Sequence, residues 1–373
     1  MPLTFMDGNE ATARAAFGAG CRFYAGYPIT PAGGISDWML KLLPPAGGVF
    51  LQGEDEIAGI GHCLGAAMAG EKVMTATSGP GISMISEQIS FAAGSEIPIV
   101  IVNVQRLGPS TGSPTRGADG DIQFMRWSSS GGLPVIVLSP SHVIDCYTLT
   151  YHAFNLAERF RCPVFIASNK EVGTTQESFD LSAVRIPKVL SRRLAAADRM
   201  YLPFSVSPGE GVPAFLPIGG KTLVRQTSST HGPDGYITAS PSVISESRKR
   251  LNGKIKAASS EGIFYEDLPL AGADTLLIAY GVTARAAGVA VSELARDGYP
   301  VSLLVPKMLF PVLGAQIRHS ASGARRVIVV EMNLGQYVRE IERVLPDKTV
   351  SFFGQMNGEL ITPAQIKKVI ADV

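Results

Sequence analysis

Along this chain, short runs of consecutive apolar residues alternate with longer stretches of helical spacing, and the alternation breaks down once before it restarts. In the first half, strands are predicted over 22–25, 49–52, 72–77, 97–104, 134–138 and 164–167. Helices are predicted between them over 9–17, 31–43, 55–69, from a turn at 78–81 to about 93, and over 141–160. The 97–104 run is β-branched and apolar at nearly every position, the pattern of a strand covered on both faces in a parallel sheet. Strands alternating with helices argue for an α/β fold with a doubly wound parallel sheet.

From about 186 to 266 the pattern loosens. The stretch 204–220 is crowded with Pro and Gly, and 227–242 is polar around His231-Gly232-Pro233-Asp234-Gly235. A basic amphipathic helix is predicted over 243–256, with Arg248, Lys249 and Arg250 as a solvated face. Regular strands return over 275–280, 301–305 and 326–330. The expected organisation is a first domain over 1–185, an irregular connector or lid over 186–266, and a smaller α/β domain over 267–373.

Composition changes this picture little. Of 373 residues, 46% are hydrophobic and 17% charged, and the formal net charge is +1, which gives no electrostatic reason to invoke nucleic acid or an anionic membrane. Cys21, Cys63, Cys146 and Cys162 are scattered with no CxxC pair. That spacing argues against a metal or iron–sulfur cluster held by this chain alone, and for buried free thiols in a reducing compartment. There is no basic segment followed by an apolar core at the N-terminus, and apolar runs fall well short of the roughly 20 residues that span a bilayer. A cytoplasmic protein is expected.

Candidate chemistry gathers where predicted strands give way to helices. Glu54-Asp55-Glu56 closes one strand and opens a helix rich in Gly and Ala. An acid in a helix's first turn is favoured by the local dipole in any protein. A carboxylate beside an apolar, close-packed surface also tends to keep or share a proton, which acid–base work requires. In Gly26-Tyr27-Pro28-Ile29-Thr30-Pro31, Thr30 is either the N-cap of the following helix or a ligand contact at a strand's carboxyl end. Arg106 leaves a buried strand at the head of a long Gly/Pro-rich loop over 106–121, placed either to grip a carboxylate or to form a surface ion pair. Ser78-Gly79-Pro80-Gly81 matches no phosphate-loop pattern and is expected as a tight turn at a ligand or subunit boundary. Glu331-Met332-Asn333 ends a strand and fits interdomain packing as well as a site.

Tyr27-Pro28-Ile29-Thr30-Pro31, Glu54-Asp55-Glu56, Thr77-Ser78-Gly79-Pro80-Gly81 and Arg106 with Gly108-Pro109-Ser110-Thr111-Gly112 occur in that order. Together they resemble the alpha subunit of the 2-oxoacid:ferredoxin oxidoreductases, most closely the 2-oxoglutarate type. The likeness extends over nearly the whole chain. It implies a pyrimidine-binding domain for thiamine diphosphate followed by a transketolase C-terminal-like domain. It further implies that Glu56 hydrogen-bonds the cofactor's aminopyrimidine, with Tyr27, Pro28 and Ile29 beside it, and that sharing this proton promotes the tautomer that activates the thiazolium ring. Thr30 and Arg106 would hold the 2-oxo acid, with Ser110 and Thr111 at its far end.

The resemblance also implies a beta subunit carrying the Mg²⁺ and diphosphate site and a [4Fe–4S] cluster, with ferredoxin and coenzyme A as the other participants. A heterodimer or a dimer of heterodimers is expected, active only when assembled, in anaerobic metabolism. The chemistry would be coenzyme A-dependent oxidative decarboxylation, or reductive carboxylation in reverse. Leu107 stands where the 2-oxoglutarate type often has glycine, and 227–233 follows that type's Asn/His/Asp-rich segment only loosely. Pyruvate and branched-chain 2-oxo acids therefore remain open. So does a non-catalytic subunit of such a complex, and a lone nucleotide-binding α/β protein is the weakest alternative.

Overall fold

A computed structural model describes residues 3–196, 200–207, 209–261 and 264–372. In the first half the strands are β1 (Thr4–Asp7), β2 (Phe23–Gly26), β3 (Val49–Gln52), β4 (Val73–Thr77), β5 (Ile99–Gln105), β6 (Ile136–Leu138), β7 (Pro163–Asn169) and β8 (Gln176–Phe179). Further along come β9 (Tyr265–Leu268), β10 (Thr275–Ala279), β11 (Ser302–Pro306), β12 (Met308–Phe310), β13 (Arg326–Glu331) and β14 (Thr349–Gly354). A seven-stranded sheet has the order β12-β6-β7-β5-β4-β2-β3, and a five-stranded sheet the order β14-β13-β10-β11-β9. Neighbours in the larger sheet run parallel except β12, which pairs antiparallel to β6.

The predicted strands of the first half all exist, β3 at its predicted bounds and the others with one or both ends moved by one or two residues. β4, β5 and β7 are buried along their whole length, as strands covered by helices on both faces must be. The sequence pattern missed β14, which pairs with the preceding strand β13, and several elements that are short or non-local. β12 is three residues long and belongs to the C-terminal part of the chain, yet it closes the edge of the N-terminal sheet. The helix expected up to about 93 is two helices, Gly79–Met84 and Ser86–Gly94, meeting at Ile85. The expected turn at 78–81 is the start of the first of them: Ser78 is its N-cap and Pro80 fills a first-turn position that needs no N–H donor.

The connector is irregular but pinned. Of the stretch over 186–266, residues 197–199, 208, 262 and 263 lie outside the described residues. Arg192 makes paired bonds to Glu158 at 2.8 and 2.9 Å and reaches the Ala67 carbonyl at 2.8 Å. The helix Pro241–Ala257 corrects the expectation of a purely solvated basic face. Arg248 and Lys249 are exposed, but Arg250 grips both oxygens of the buried Glu96 at 2.6 and 2.8 Å. Lys254, one turn on, is buried and meets the same carboxylate at 2.6 Å.

The two sheets meet through a buried polar cluster. Glu331 accepts the Tyr280 hydroxyl at 2.7 Å and the amides of Tyr337 and Val338 at 2.8 Å. Asn333 donates to Glu331, to Tyr280 and to the Asp119 carbonyl, each at 2.9 Å. Of the two readings for Glu331-Met332-Asn333, the packing one is what the structure holds.

Candidate active site

The candidate residues converge at one end of the seven-stranded sheet. Thr30 lies in the loop after β2, Glu56 opens the helix after β3, Ser78 to Gly81 follow β4, and Arg106 follows β5. Those four strands are consecutive, parallel neighbours, so all four segments leave from the same carboxyl edge. This is where open α/β sheets bind ligands.

Glu56 is the first residue of the helix Glu56–Met68, and Asp55 caps it by accepting from the Ala58 amide at 2.8 Å. Because Asp55 supplies the cap, the Glu56 side chain is left for another partner. Thr77 is that partner, donating its hydroxyl to Glu56 Oε1 at 3.2 Å. Glu56 is only 7% exposed. Gly81 forms the adjoining wall: a β-carbon there would fall 2.6 Å from Glu56 Oε1 and closer still to Thr77 Oγ1. The small residues along the Glu56 helix divide between two uses. Gly59 lets the helix approach Gly26 of β2, with a β-carbon position 3.0 Å from the Gly26 Cα, whereas Gly61 and Gly65 open onto free space.

Arg106 is 6% exposed, which removes the surface-ion-pair reading. Its Nη1 donates to the Thr30 carbonyl at 2.6 Å, while its Nε is buried with no hydrogen-bond partner among the described residues. Burial pushes the guanidinium's pKa down, and the charges of Glu56 and Asp121 push it back up. The Thr30 cap is corrected by the same bonds. The Thr30 carbonyl goes to Arg106 and the Pro31 carbonyl to Asn9 Nδ2 at 2.9 Å, so the helix starts later, at Gly33, with Ala32 as its N-cap. The Thr30 side chain itself is exposed.

The rim is made by the remaining candidates. Tyr27 and Pro28 are exposed and Ile29 is half-buried. Ser110 and Thr111 sit at the exposed tip of a tight turn in which the Gly112 amide donates to the Pro109 carbonyl at 3.0 Å. Leu107 and Ser113 bridge the base of this turn, and Gly112 has φ +51°, where a side chain would drive into the Leu107 carbonyl. Arg106, Thr30 and Glu56 are thus gathered, while Ser110 and Thr111 are held on a short rigid finger beside them.

Sequence reasoning singled out none of Thr77, Ser78, Asn103, Gln105 and Asp121 as individual site residues. Asp121 accepts from Asn103 Nδ2 at 3.1 Å, and its own amide donates to Gln105 Oε1 at 3.0 Å. Burial pushes its carboxyl pKa up, opposed by Asn103 and Arg106. Ser78 Oγ is buried with no partner among the described residues. The signal was available in β5: Asn103 and Gln105 are polar, two apart and on one face of an otherwise apolar run, and buried polar groups in a strand need partners. The four cysteines are buried free thiols, and burial pushes Cys21 and Cys162 up to about 12. Clefts of about 550 and 520 Å³ open elsewhere, beside Trp127 and Arg285 respectively, and Glu56, Thr30 and Arg106 line neither.

Residues 14–249 match the family model of the pyruvate flavodoxin/ferredoxin oxidoreductase thiamine diphosphate-binding region, and residues 273–366 match pyruvate:ferredoxin oxidoreductase core domain II. The chain is 39% identical to 2-oxoglutarate synthase subunit KorA of Methanothermobacter thermautotrophicus, over 98% of this chain and 97% of that protein. It is 33% identical to ketoisovalerate oxidoreductase subunit VorB of Methanothermobacter marburgensis, over 100% of this chain and 98% of that one. Among solved structures it is similar to 2-oxoglutarate:ferredoxin oxidoreductase from Magnetococcus marinus, with TM-score 0.92 and 29% identity. That match covers 99% of this chain and 65% of the other.

Proposed function

The chain belongs to the pyruvate flavodoxin/ferredoxin oxidoreductase family, and from that premise we propose that it is the alpha subunit of a thiamine diphosphate-dependent 2-oxoacid:ferredoxin oxidoreductase acting on 2-oxoglutarate. The observation that carries this reading is the meeting, at one sheet edge, of the shielded Glu56 carboxylate and the Arg106 guanidinium held on Thr30.

The residues present fit the cofactor. Ser78 Oγ and Arg106 Nε are buried polar atoms without partners among the described residues, and Gly81 lets the backbone pack directly against Glu56 and Thr77. Glu56 would hold the pyrimidine ring through a shared proton on its carboxyl group, with Tyr27, Pro28 and Ile29 along its border. When bound, thiamine diphosphate supplies the carbon nucleophile and the electron sink that breaking the C1–C2 bond of a 2-oxo acid requires. Arg106 takes the substrate carboxylate: one η nitrogen is fixed on Thr30, and the Nε donor, unpaired among the described residues, is available for a charge-assisted bond. Thr30 contributes a hydroxyl at the substrate's oxo or carboxylate oxygens, and Ser110 and Thr111 reach its distal end.

The reading includes a beta subunit that carries Mg²⁺, the diphosphate site and a [4Fe–4S] cluster, with electrons passing to ferredoxin and the acyl group to coenzyme A. Exposed Tyr27, Leu51, Ile57 and Met84, all on segments that carry the site, support a partner seated over it. β3 also stands at the sheet's edge, where an unpaired strand needs cover. The higher identity to the 2-oxoglutarate synthase subunit than to the ketoisovalerate oxidoreductase subunit favours 2-oxoglutarate over branched-chain acids. The chain divides into a pyrimidine-binding domain over 1–185, a connector over 186–266 and a transketolase C-terminal-like domain over 267–373.

A Glu56→Gln variant, assembled with its partner, tests this. Coenzyme A-dependent viologen reduction is expected to fall by about 100-fold or more, the range for losing a positioned acid–base group. Full activity in the variant complex would instead favour the non-catalytic subunit.

A further inference from the structure

The loop that leaves β5 at Arg106 returns to the site by way of the second domain. The Asp119 amide donates to the Met332 carbonyl at 2.9 Å, and the Asp119 carbonyl accepts from Asn333 Nδ2 at 2.9 Å. Next along, the Gly120 carbonyl accepts from Gln336 Nε2 at 2.5 Å. The Gln123 amide donates to Gln336 Oε1 and its side chain to the Gln336 carbonyl, both at 2.9 Å. The turn after β13 thus reads the backbone of the returning loop residue by residue.

That turn is itself rigid. Asn333 is fully buried, and its Oδ1 accepts from the amides of Gly335 at 2.9 Å and Gln336 at 3.0 Å. With its oxygen committed there, Nδ2 can only face the loop, Tyr280 and Glu331. The docked stretch contains Asp121, whose carboxylate faces Asn103 and whose charge acts on Arg106. Asp121 is tied back to the residue preceding Arg106 by the hydrogen bond its backbone N–H donates to Gln105 Oε1, and Gln105 Nε2 is fixed on the Ser168 carbonyl at 3.2 Å. A chain of hydrogen bonds and backbone therefore runs from 333–336 through Asp119 and Gly120 to Asp121, and from Asp121 to Gln105, the residue before Arg106.

We propose that Asn333 and Gln336 are positioning residues for Arg106: by holding Asp119 and Gly120 they set the place of Asp121, which is bonded to Asn103 and Gln105 on the strand that carries Arg106, and so how Arg106 meets the carboxylate of a 2-oxo acid. This rests on the assignment of Arg106 to that carboxylate. The second domain is then part of substrate selection although none of its side chains needs to touch substrate.

The test is a double-mutant cycle in the assembled complex, with Arg106→Lys, Gln336→Ala and the combined variant, and Asn333→Ala alongside. Arg106→Lys keeps the charge and loses the planar fork, so activity stays measurable. Gln336 is half-buried, so its variant carries the test if Asn333→Ala fails to assemble. Gln336→Ala is expected to raise the KM for 2-oxoglutarate about five-fold or more, as coupled neighbours in one network do, with the KM for coenzyme A unchanged. The increase is expected to shrink when Arg106 is already lysine. An unchanged KM in Gln336→Ala, or an equal increase on both backgrounds, overturns the positioning role while leaving Arg106's assignment standing. An unchanged KM in Arg106→Lys overturns the assignment itself, and the inference with it.

Discussion

Gly81 matters for what it leaves out. Any side chain there would press on Glu56 and Thr77 at once, and the surrounding strands β4 and β5 are too well packed to give way. Gly81→Ala is expected to cost about 1–3 kcal/mol of stability by overpacking, read from denaturant midpoints. Activity should fall further than that loss of fold accounts for, because the displaced group is the Glu56 carboxylate. If stability falls and turnover per folded complex does not, the wall formed by Gly81 has no part in the chemistry. At this scale the sequence was legible where a residue's neighbours along the chain settle its place: Glu56 and Arg106 both follow strand ends at one sheet edge. Thr77 and Asp121 were not, because their roles come from contacts across the sheet edge. Thr30 was half legible: it lies in the loop after β2, as its neighbours along the chain predict, but its capping role was lost to the bonds its loop makes to Arg106 and Asn9.

At the scale of elements, the helix Pro241–Ala257 fastens the connector to the first domain through Glu96. Burial alone would raise the Glu96 pKa, but Lys254, Arg250 and Arg161 outweigh it and hold the carboxyl at about 2. Removing the carboxylate leaves Lys254 buried without its counter-ion, so Glu96→Ala is expected to destabilise by about 3–5 kcal/mol in chemical denaturation. The depressed folded value also fixes the pH dependence. Glu96 contributes fully above the ordinary value of 4.5, and its contribution is lost as pH falls through about 2. Wild-type stability should therefore fall through this window more steeply than that of Glu96→Gln, and parallel curves would show that the ion pair is not what fastens the helix. The amphipathic helix was legible from its periodicity, but its partner was not. Periodicity marks which face is polar, not whether that face meets water or a buried acid more than 150 positions away. The same limit hid β12, whose three residues take their meaning only from pairing with β6.

For the whole molecule, the two sheets share apolar clusters, and beside these the buried polar cluster between them holds a titratable carboxyl. Asp119 is buried, and burial, aided by the charges of Glu331 and Asp121 and opposed by the Asn169 amide, pushes its carboxyl up to about 7. The native state then binds a proton that the unfolded chain releases near the ordinary value of 3.8, so stability from this group falls as pH rises from about 4 to about 7 and levels off above. Asp119→Asn keeps the oxygen that accepts from Asn169 and should flatten that slope. An unaltered slope would show that Asp119 is ionised in the fold. None of this was legible in the sequence, because Asp119 and Asn333 lie 214 positions apart. What was legible was the alternation of strands and helices on either side of a looser connector.

The central claim, that this chain is one half of a 2-oxoacid:ferredoxin oxidoreductase site, is tested most directly on the native complex captured through it under strict anaerobiosis. Viologen reduction would be followed with 2-oxoglutarate, pyruvate and 2-oxoisovalerate, each with and without coenzyme A. Coenzyme A-dependent turnover with 2-oxoglutarate is expected well above that with the other two. Turnover confined to one of the others would keep the reaction class and replace the substrate. Silence with all three, and no bound thiamine diphosphate or iron–sulfur partner in the captured complex, would contradict the account.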